Sequence, residues 1–113
     1  MNNQTCIFCK IVKGEIPADF TLKTKDTVVF ADIKPTAPLH LLIVPKKHIS
    51  HFALLENVDK KIWGEMTKVA RDLISRHDLS EKGYRIILNG GPAAMVQHLH
   101  MHLLGEVSIH KEI

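Results

Sequence analysis

The chain has 113 residues, of which 45% are apolar and 24% charged, a composition that fits one globular domain over residues 1–113 and excludes a disordered chain. No apolar run approaches the roughly 18 residues that a membrane-spanning helix needs, and the amino terminus lacks the basic-then-apolar pattern of a secretion signal, so we expect a cytoplasmic protein without a membrane partner. The formal net charge of +3 suits an anionic ligand, but the lysines are spread along the chain without the basic and aromatic patch typical of nucleic-acid binding, so no nucleic-acid partner is expected.

The first half of the chain is predicted to form one short helix and three strands. After Cys6, apolar residues recur with helical spacing as far as Val12, and Gly14 and Pro17 end the pattern. Apolar runs predict strands over residues 20–24, 26–33 and 39–45, and the prolines of "KPTAP" separate the last two.

A long amphipathic helix is predicted from Asp59 to about His77. Its apolar stripe has positions i, i+4, i+7 and i+11, occupied by Ile62, Met66, Val69 and Leu73. Asn57 or Asp59 is a candidate cap for its first turn. Gly64 inside this helix costs about 1 kcal/mol relative to alanine, which suggests close approach by another backbone, such as that of a second subunit.

The last two strands are predicted over residues 84–89 and 98–104, with a turn at "GGPAA" between them. Five strands, one short helix and one long helix between the third and fourth strands predict an α+β domain with a mostly antiparallel sheet. Because such a sheet has an open edge, we expect a homodimer.

The segment "QHLHMHLLG" carries three histidines at alternate positions, His98, His100 and His102. On a strand these imidazoles share one face, about 6.5–7 Å from one to the next, while the apolar residues between them face the core. Three chemistries fit the pattern: a hydrolytic zinc held by the histidines, covalent catalysis by one imidazole with its neighbours handling protons, or a structural metal that uses one of them.

Other polar residues have both a functional and a structural interpretation. His40 lies between leucines on the predicted strand 39–45, which fits a buried imidazole beside the row or a core histidine with an internal partner. Asn89 ends the next strand and can contact a ligand or serve ordinary turn chemistry. The small residues after it leave backbone amides accessible to an anion.

Cys6 and Cys9 form a C-x-x-C pair. A second such pair is lacking, which excludes a zinc ribbon, and the segment has no βαβ context for a redox pair. A zinc completed by two histidines and a pair of buried, metal-free thiols both fit.

Four blocks of the chain resemble the histidine triad (HIT) superfamily, and in particular its nucleotide-binding phosphoramidase branch. The motif "HLHMH" followed by "LLG" resembles the His-x-His-x-His signature, and the other blocks occur in the family's order: "CIFCKIVKGEIPA", "VVFADIKPTAPLHLLIVPKKHIS" and "KGYRIILNGGPAA". The resemblance covers residues 6–105.

The resemblance implies a homodimer of the HIT-like α+β fold that hydrolyses nucleoside monophosphate conjugates (AMP–X), either phosphoramidates or acyl adenylates. It implies that His100 attacks the α-phosphorus and carries a nucleotidyl intermediate, while His102 binds phosphate oxygens and assists proton transfer. His40 matches the supporting histidine of the family, and Asn89 matches its active-site asparagine.

The resemblance also implies a purine nucleotide site and a structural zinc. The purine cleft matches four apolar residues, and Asp32 matches the acidic residue at the ribose hydroxyls; the apolar four are Ile7, Phe8, Phe30 and Ile33. The zinc ligands of similar bacterial proteins match Cys6, Cys9, His48 and His98, a closed Cys₂His₂ set. The remaining histidines match nothing and are expected at the surface: His51, His77 and His110.

One segment departs from the family pattern. From Asn89 to His100 the chain is about two residues shorter, and Met95 stands where a hydroxyl or amide that contacts phosphate is expected. Gln97 is the candidate replacement, and loss of such a donor can cost two or three orders of magnitude in rate. The alternative function is therefore a nucleotide-binding or scaffold protein with weak or lost catalysis.

Overall fold

Five strands form one antiparallel sheet in the computed structural model, which describes residues 5–109. Their spatial order is β1-β2-β3-β5-β4, and every neighbouring pair is antiparallel. Their bounds are β1 Phe20–Lys23, β2 Thr27–Ala31, β3 Leu39–Pro45, β4 Tyr84–Leu88 and β5 Met101–Gly105. The predicted α+β fold is therefore confirmed.

Each face of the sheet is covered by a different helix. One face packs against the long helix α2 (Lys60–Arg76) in a core that includes Val29, Ile43, Met66, Leu73 and Leu103. The other face packs against the short helix α1 (Ile7–Val12) in a core that includes Phe8, Ile11, Val28, Leu42 and Val44. Because side chains alternate along a strand, the polar residues that β3 and β5 direct away from α2 lie on the α1 face.

The start of α2 differs in detail from the prediction. A 3-10 turn, Asn57–Asp59, precedes the helix, and Asp59 occupies its N-cap position without a side-chain capping bond to α2. The Asp59 carboxylate instead accepts the Glu56 N–H at 3.0 Å and the Lys47 ammonium at 2.6 Å. A second short helix, α3 (Leu79–Lys82), was not predicted because four residues are too few to show a helical period.

Strand β5 begins at Met101, three residues later than the predicted start at His98. The last pair of its ladder with β3 is Ile43 with Met101. Pro45, farther along β3, has no N–H, and its carbonyl oxygen is taken by the His98 ring at 2.8 Å. One backbone bond, from the Leu99 N–H to Ile49 O at 2.6 Å, holds the segment before β5.

None of the helices within residues 5–109 is both long enough and apolar enough to span a membrane. Gly64 lies in α2, and a Cβ built on it would meet no other part of the described chain within 4 Å. The backbone approach predicted at this glycine therefore does not come from the described residues of the chain itself.

Gly83 joins α3 to β4 with φ +90°, and a Cβ on it would collide with the Val107 carbonyl oxygen. We expect Gly83→Ala to lower the free energy of unfolding by about 3 kcal/mol, because a strained φ is added to a backbone collision. Gly14 is a matched control, since its φ is +83° but a Cβ there would meet nothing within 4 Å. Gly14→Ala should cost only about 1 kcal/mol; equal costs for the two variants in urea unfolding would contradict this prediction.

Candidate functional site

A cleft of about 990 Å³ opens on the α1 face of the sheet, within the range of small-ligand sites. Its walls are mainly apolar, and its polar lining includes the side chains of Asp32, His40, Asn89, His100 and His102. The fold thus brings together all the residues for which the sequence predicted catalytic or ribose contacts.

His100 presents an unprotonated ring nitrogen to this cleft. Its Nδ1 lies 2.7 Å from the backbone oxygen of His98, and a carbonyl oxygen can only accept, so Nδ1 carries the proton. The Nε2 of the neutral ring then keeps its lone pair. Edge-on contact with Phe8, at 5.1 Å between ring centroids, helps to orient the imidazole.

His40 and His102 form a hydrogen-bonded chain in which each ring accepts at Nδ1, whereas His100 donates from Nδ1. The Thr36 N–H donates to His40 Nδ1 at 3.1 Å, which leaves the proton of the neutral His40 ring on Nε2. That N–H donates to His102 Nδ1 at 2.9 Å, so His102 carries its own proton on Nε2. The cleft therefore receives a lone pair from His100 and an N–H from His102.

Burial keeps these imidazoles neutral. Burial lowers the pKa of both His40 and His100. The pKa of His102 falls to about 4, because of its burial and because of the neighbouring rings of His100 and His40. Desolvation disfavours the charged form of each ring. Neutral rings are consistent with the hydrogen bonds above, since His40 Nδ1 and His102 Nδ1 both accept.

Asp32 and Asn89 retain hydrogen-bonding capacity at the cleft. Asp32 Oδ1 accepts the Lys34 N–H at 2.9 Å, and Oδ2 lies 3.5 Å from His40 Nε2, but a carboxylate has about four acceptor positions. Asn89 is half-buried, and its side chain makes no hydrogen bond with residues 5–109. Both side chains can therefore meet a polar ligand.

The four apolar residues predicted for the purine all line the cleft, at different depths. Phe8 and Phe30 are buried and pack edge to face, with centroids 5.7 Å apart. Ile7 is partly exposed and Ile33 is 93% exposed. The two phenylalanines form the inner wall, and the isoleucines lie at the rim.

A second cluster, formed by Cys6, Cys9, His48 and His98, lies at the start of α1, and its ligand atoms are all within 4.8 Å of one another. His98 Nδ1 lies 3.3 Å from Cys6 Sγ and 3.5 Å from Cys9 Sγ, while His48 Nδ1 lies 3.3 Å from Cys9 Sγ. This Cys/His cluster could hold a metal ion.

The donor set and spacing fit tetrahedral zinc. Zn–S and Zn–N bonds of about 2.3 and 2.0–2.1 Å imply S···N edges of roughly 3.5 Å. The His98 Nε2–H donates to Pro45 O at 2.8 Å, so the Nδ1 lone pair points toward the thiols, as in metal-bound histidines. Burial, followed by the hydrogen bond with Cys6, raises the pKa of the Cys9 thiol to about 11, so a cation is needed to hold it as a thiolate.

The pair Lys47 and Asp59 connects the loop that carries His48 to the start of α2. The Lys47 ammonium lies 2.6 Å from Asp59 Oδ1. This hydrogen bond, together with the Glu56 N–H, lowers the pKa of Asp59. The loop after β3 is therefore held to α2 next to a cluster residue.

The loop before the histidines overturns the expectation that Gln97 replaces a phosphate-contacting side chain. Both protons of the Gln97 amide are used inside the loop, on Gly91 O at 2.9 Å and Ala94 O at 3.1 Å. Gln97 therefore does not supply the missing phosphate donor; it stabilises the turn that contains the 3-10 helix Gly91–Ala93. Met95 lines the cleft and is 95% exposed.

Of the remaining histidines, the two within residues 5–109 belong neither to the Cys/His cluster nor to the lining of the cleft. His51 and His77 are half-buried, and the His51 ring packs beside Gly90; His110 lies outside the described residues. Sequence reasoning missed the Thr36 N–H and the Pro45 carbonyl, the backbone groups that orient the rings. The proline-bounded segment "KPTAP" marks an ordered turn, but nothing in it reveals the direction of one amide.

Comparison with known proteins gives the family. Residues 5–112 match the family model described as "Scavenger mRNA decapping enzyme C-term binding". The chain is 36% identical over 107 residues to an uncharacterized HIT-like protein of Buchnera aphidicola, covering 93% of this chain and 96% of that protein.

Solved structures agree with this match. A HIT family hydrolase from Legionella pneumophila has a TM-score of 0.85 and 41% identity, covering 93% of this chain and 96% of that one. A histidine triad nucleotide-binding protein from Candida albicans has a TM-score of 0.79 and 36% identity, covering 88% and 73%. The alternate histidines on the α1 face, the sheet order and these matches together assign the chain to the histidine triad (HIT) superfamily.

Proposed function

We propose that this protein is a HIT-type nucleotide hydrolase that cleaves purine nucleoside monophosphate conjugates of phosphoramidate or acyl-adenylate type through a covalent intermediate on His100. The observation that carries the proposal is the opposite polarity of two neighbouring rings. His100 offers a lone pair and His102 an N–H to the same cleft, with ring centroids 4.8 Å apart. A phosphoryl group needs both, a nucleophile for phosphorus and a donor for its oxygens.

The reaction has two displacements at phosphorus. In the first, the His100 Nε2 lone pair forms an N–P bond, the P–X bond breaks, and X departs with the electron pair and a proton from solvent. In the second, water forms an O–P bond and loses a proton, and the N–P electron pair returns to His100. The His102 Nε2–H stabilises charge on the phosphoryl oxygens in both steps.

The nucleoside half of the substrate fits the rest of the cleft. A purine stacks against the inner wall of Phe8 and Phe30, with Ile7 and Ile33 at the rim. The Asp32 carboxylate can accept from both ribose hydroxyls. Asn89 can donate to the phosphate or to the leaving group.

Release of AMP from adenosine 5′-phosphoramidate tests the reaction. We expect steady, multiple turnovers that yield AMP and ammonia in equal amounts, and saturable binding of AMP by calorimetry. Binding of AMP without any turnover above the rate of buffer alone would contradict the hydrolase.

The second candidate function, nucleotide binding with little or no catalysis, is favoured by one observation. From Gly90 to Val96 no side chain carries a hydrogen-bond donor, and the Gln97 amide protons are already used. The phosphate would then lack a side-chain donor from this loop. The same turnover experiment separates the two functions.

We further propose that Cys6, Cys9, His48 and His98 hold a structural zinc ion. Four protein ligands leave no open coordination position, so the metal would supply stability and not chemistry. The His98 ring would bind it through Nδ1, and the backbone oxygen of the same residue orients His100.

We also propose that the protein forms a homodimer through the β4 edge. Strand β4 ends the sheet, and Tyr84 and Ile86 on it are 44% and 43% exposed. An open edge with apolar side chains favours pairing with a second copy. Gly64 on α2 leaves room for a neighbouring backbone.

We expect Ile86→Glu to convert the dimer to a monomer in sedimentation, because it introduces like charges into a symmetric apolar contact. Thr21→Glu is the matched control, since Thr21 is exposed on β1 at the opposite edge. A dimer that survives Ile86→Glu and dissociates with Thr21→Glu would assign the interface to the other edge.

A further inference from the structure

In the Cys/His cluster and in the group of histidines at the cleft, one ring is hydrogen-bonded to a backbone group on the side away from its cluster partners. The two backbone groups have opposite polarity. Behind His98 is a carbonyl, Pro45 O, which holds the proton on Nε2 and turns the Nδ1 lone pair toward the two thiols. Behind His40 is an N–H, that of Thr36, which occupies the Nδ1 lone pair and leaves the proton on Nε2. His40 Nε2 is the nitrogen that faces Asp32 and His102.

By distance alone, Asp32, His40 and His102 are also a metal cluster, since their ligand atoms lie within 4.8 Å of one another. Two imidazoles and a carboxylate at an open cleft resemble the protein ligands of a hydrolytic zinc. A neutral histidine that binds a metal through one nitrogen must, however, carry its proton on the other. For His40 that proton would point at the Thr36 N–H, 3.1 Å away.

We propose that the Thr36 N–H excludes metal ions from the catalytic histidine pair by fixing the tautomer of His40. Thr36 is thus a positioning residue. The proton that it holds on His40 Nε2 makes His102 a donor toward the cleft. The same proton leaves His40 Nε2 and His102 Nδ1, two of the three ligand atoms, without a lone pair for a metal. The part of this inference that concerns catalysis rests on the proposed function, whereas the tautomer and the metal exclusion do not.

The loop that carries Thr36 is held at both ends. The Asp32 N–H donates to His40 O at 3.0 Å, and Asp32 Oδ1 accepts the Lys34 N–H at 2.9 Å. Pro35 and Pro38 restrict the backbone on either side of Thr36. The amide therefore cannot easily turn away to let His40 bind an ion.

The first test is the tautomer itself, measured on the full chain with ¹⁵N-labelled histidine. Long-range ¹H–¹⁵N spectra should show His40 and His102 protonated on Nε2 and unprotonated on Nδ1. A His40 ring that carries its proton on Nδ1 overturns the proposal.

The second test is metal stoichiometry, with Zn²⁺ alone as the probe. The wild type and Thr36→Ala, which keeps the N–H, should bind no further zinc at this pair. Thr36→Pro removes the N–H and should bind an additional zinc at least about tenfold more tightly, and that gain should disappear when His102→Gln is added.

Each outcome decides the proposal. A folded Thr36→Pro protein with the wild-type His40 tautomer and no added zinc affinity overturns it. If Thr36→Pro does not fold, the wild type decides: a second zinc that is lost in His102→Gln overturns the proposal, and none supports it. Failure to release AMP would contradict the proposed hydrolase but would leave the tautomers and the zinc count unchanged.

Discussion

His100→Ala is expected to reduce AMP release from adenosine 5′-phosphoramidate by roughly four orders of magnitude or more, because it removes the atom that forms the bond to phosphorus. AMP affinity should change by less than about tenfold, since most of the cleft wall is contributed by other residues. Rapid quenching of the wild type followed by mass spectrometry should find a nucleotidyl group attached to His100, at no more than one per active site.

Two variants make this result specific. His77→Ala removes a half-buried imidazole near the end of α2 and should retain the wild-type rate. His102→Ala should fall by about 10²–10³-fold, the loss expected for one donor to a developing charge. Equal AMP release by the wild type and His100→Ala, or a nucleotidyl group on another residue, would contradict the proposed mechanism.

The second large effect concerns the Cys/His cluster. Purified protein is expected to contain about one zinc per chain by elemental analysis, and Cys6→Ser should abolish it. A site loaded at about 1,000 times its Kd adds roughly 4 kcal/mol to the folded state, so Tm should fall by roughly 15 °C in the variant or in strong chelator.

His51→Gln is the matched control for metal content, because His51 lies close in sequence to His48 but outside the cluster. Its zinc content should equal that of the wild type. A well-folded wild type without metal, whose Tm does not respond to added zinc, would show that the two thiols are buried without a metal role.

The local sequence pattern predicted an element correctly where the residues of that element themselves determine how it packs. The strand 39–45 was predicted with the bounds that β3 has, because a short apolar run, interrupted only by His40 and bounded by prolines, favours a buried strand. The long helix was predicted to within one residue at each end, since its apolar stripe faces one core. The predicted start of β5 was wrong, because the start depends on Pro45 of the neighbouring strand β3. Pro45 ends the ladder between β3 and β5, and its carbonyl oxygen accepts a hydrogen bond from the His98 ring.

The role predicted for Gln97 was also wrong, for a different reason. Its position beside the histidines made it a candidate phosphate donor, but an amide binds whatever acceptors the folded loop presents. Here those are the carbonyls of Gly91 and Ala94. Only the path of the loop could reveal that they lie within reach.

The amino-acid sequence by itself determined the α+β fold, the alternation that puts the histidines on one side of the sheet, and the residues that gather around the cleft. The tertiary structure decided which nitrogen of each imidazole carries the proton. That choice depends on whether another part of the chain turns a carbonyl or an N–H toward the ring. Pro45, on strand β3, presents a carbonyl to His98, and Thr36, in the turn just before β3, presents an N–H to His40. Since a neutral imidazole has one proton for two nitrogens, this choice separates a ring suited to bind metal from a ring suited to donate to a phosphate.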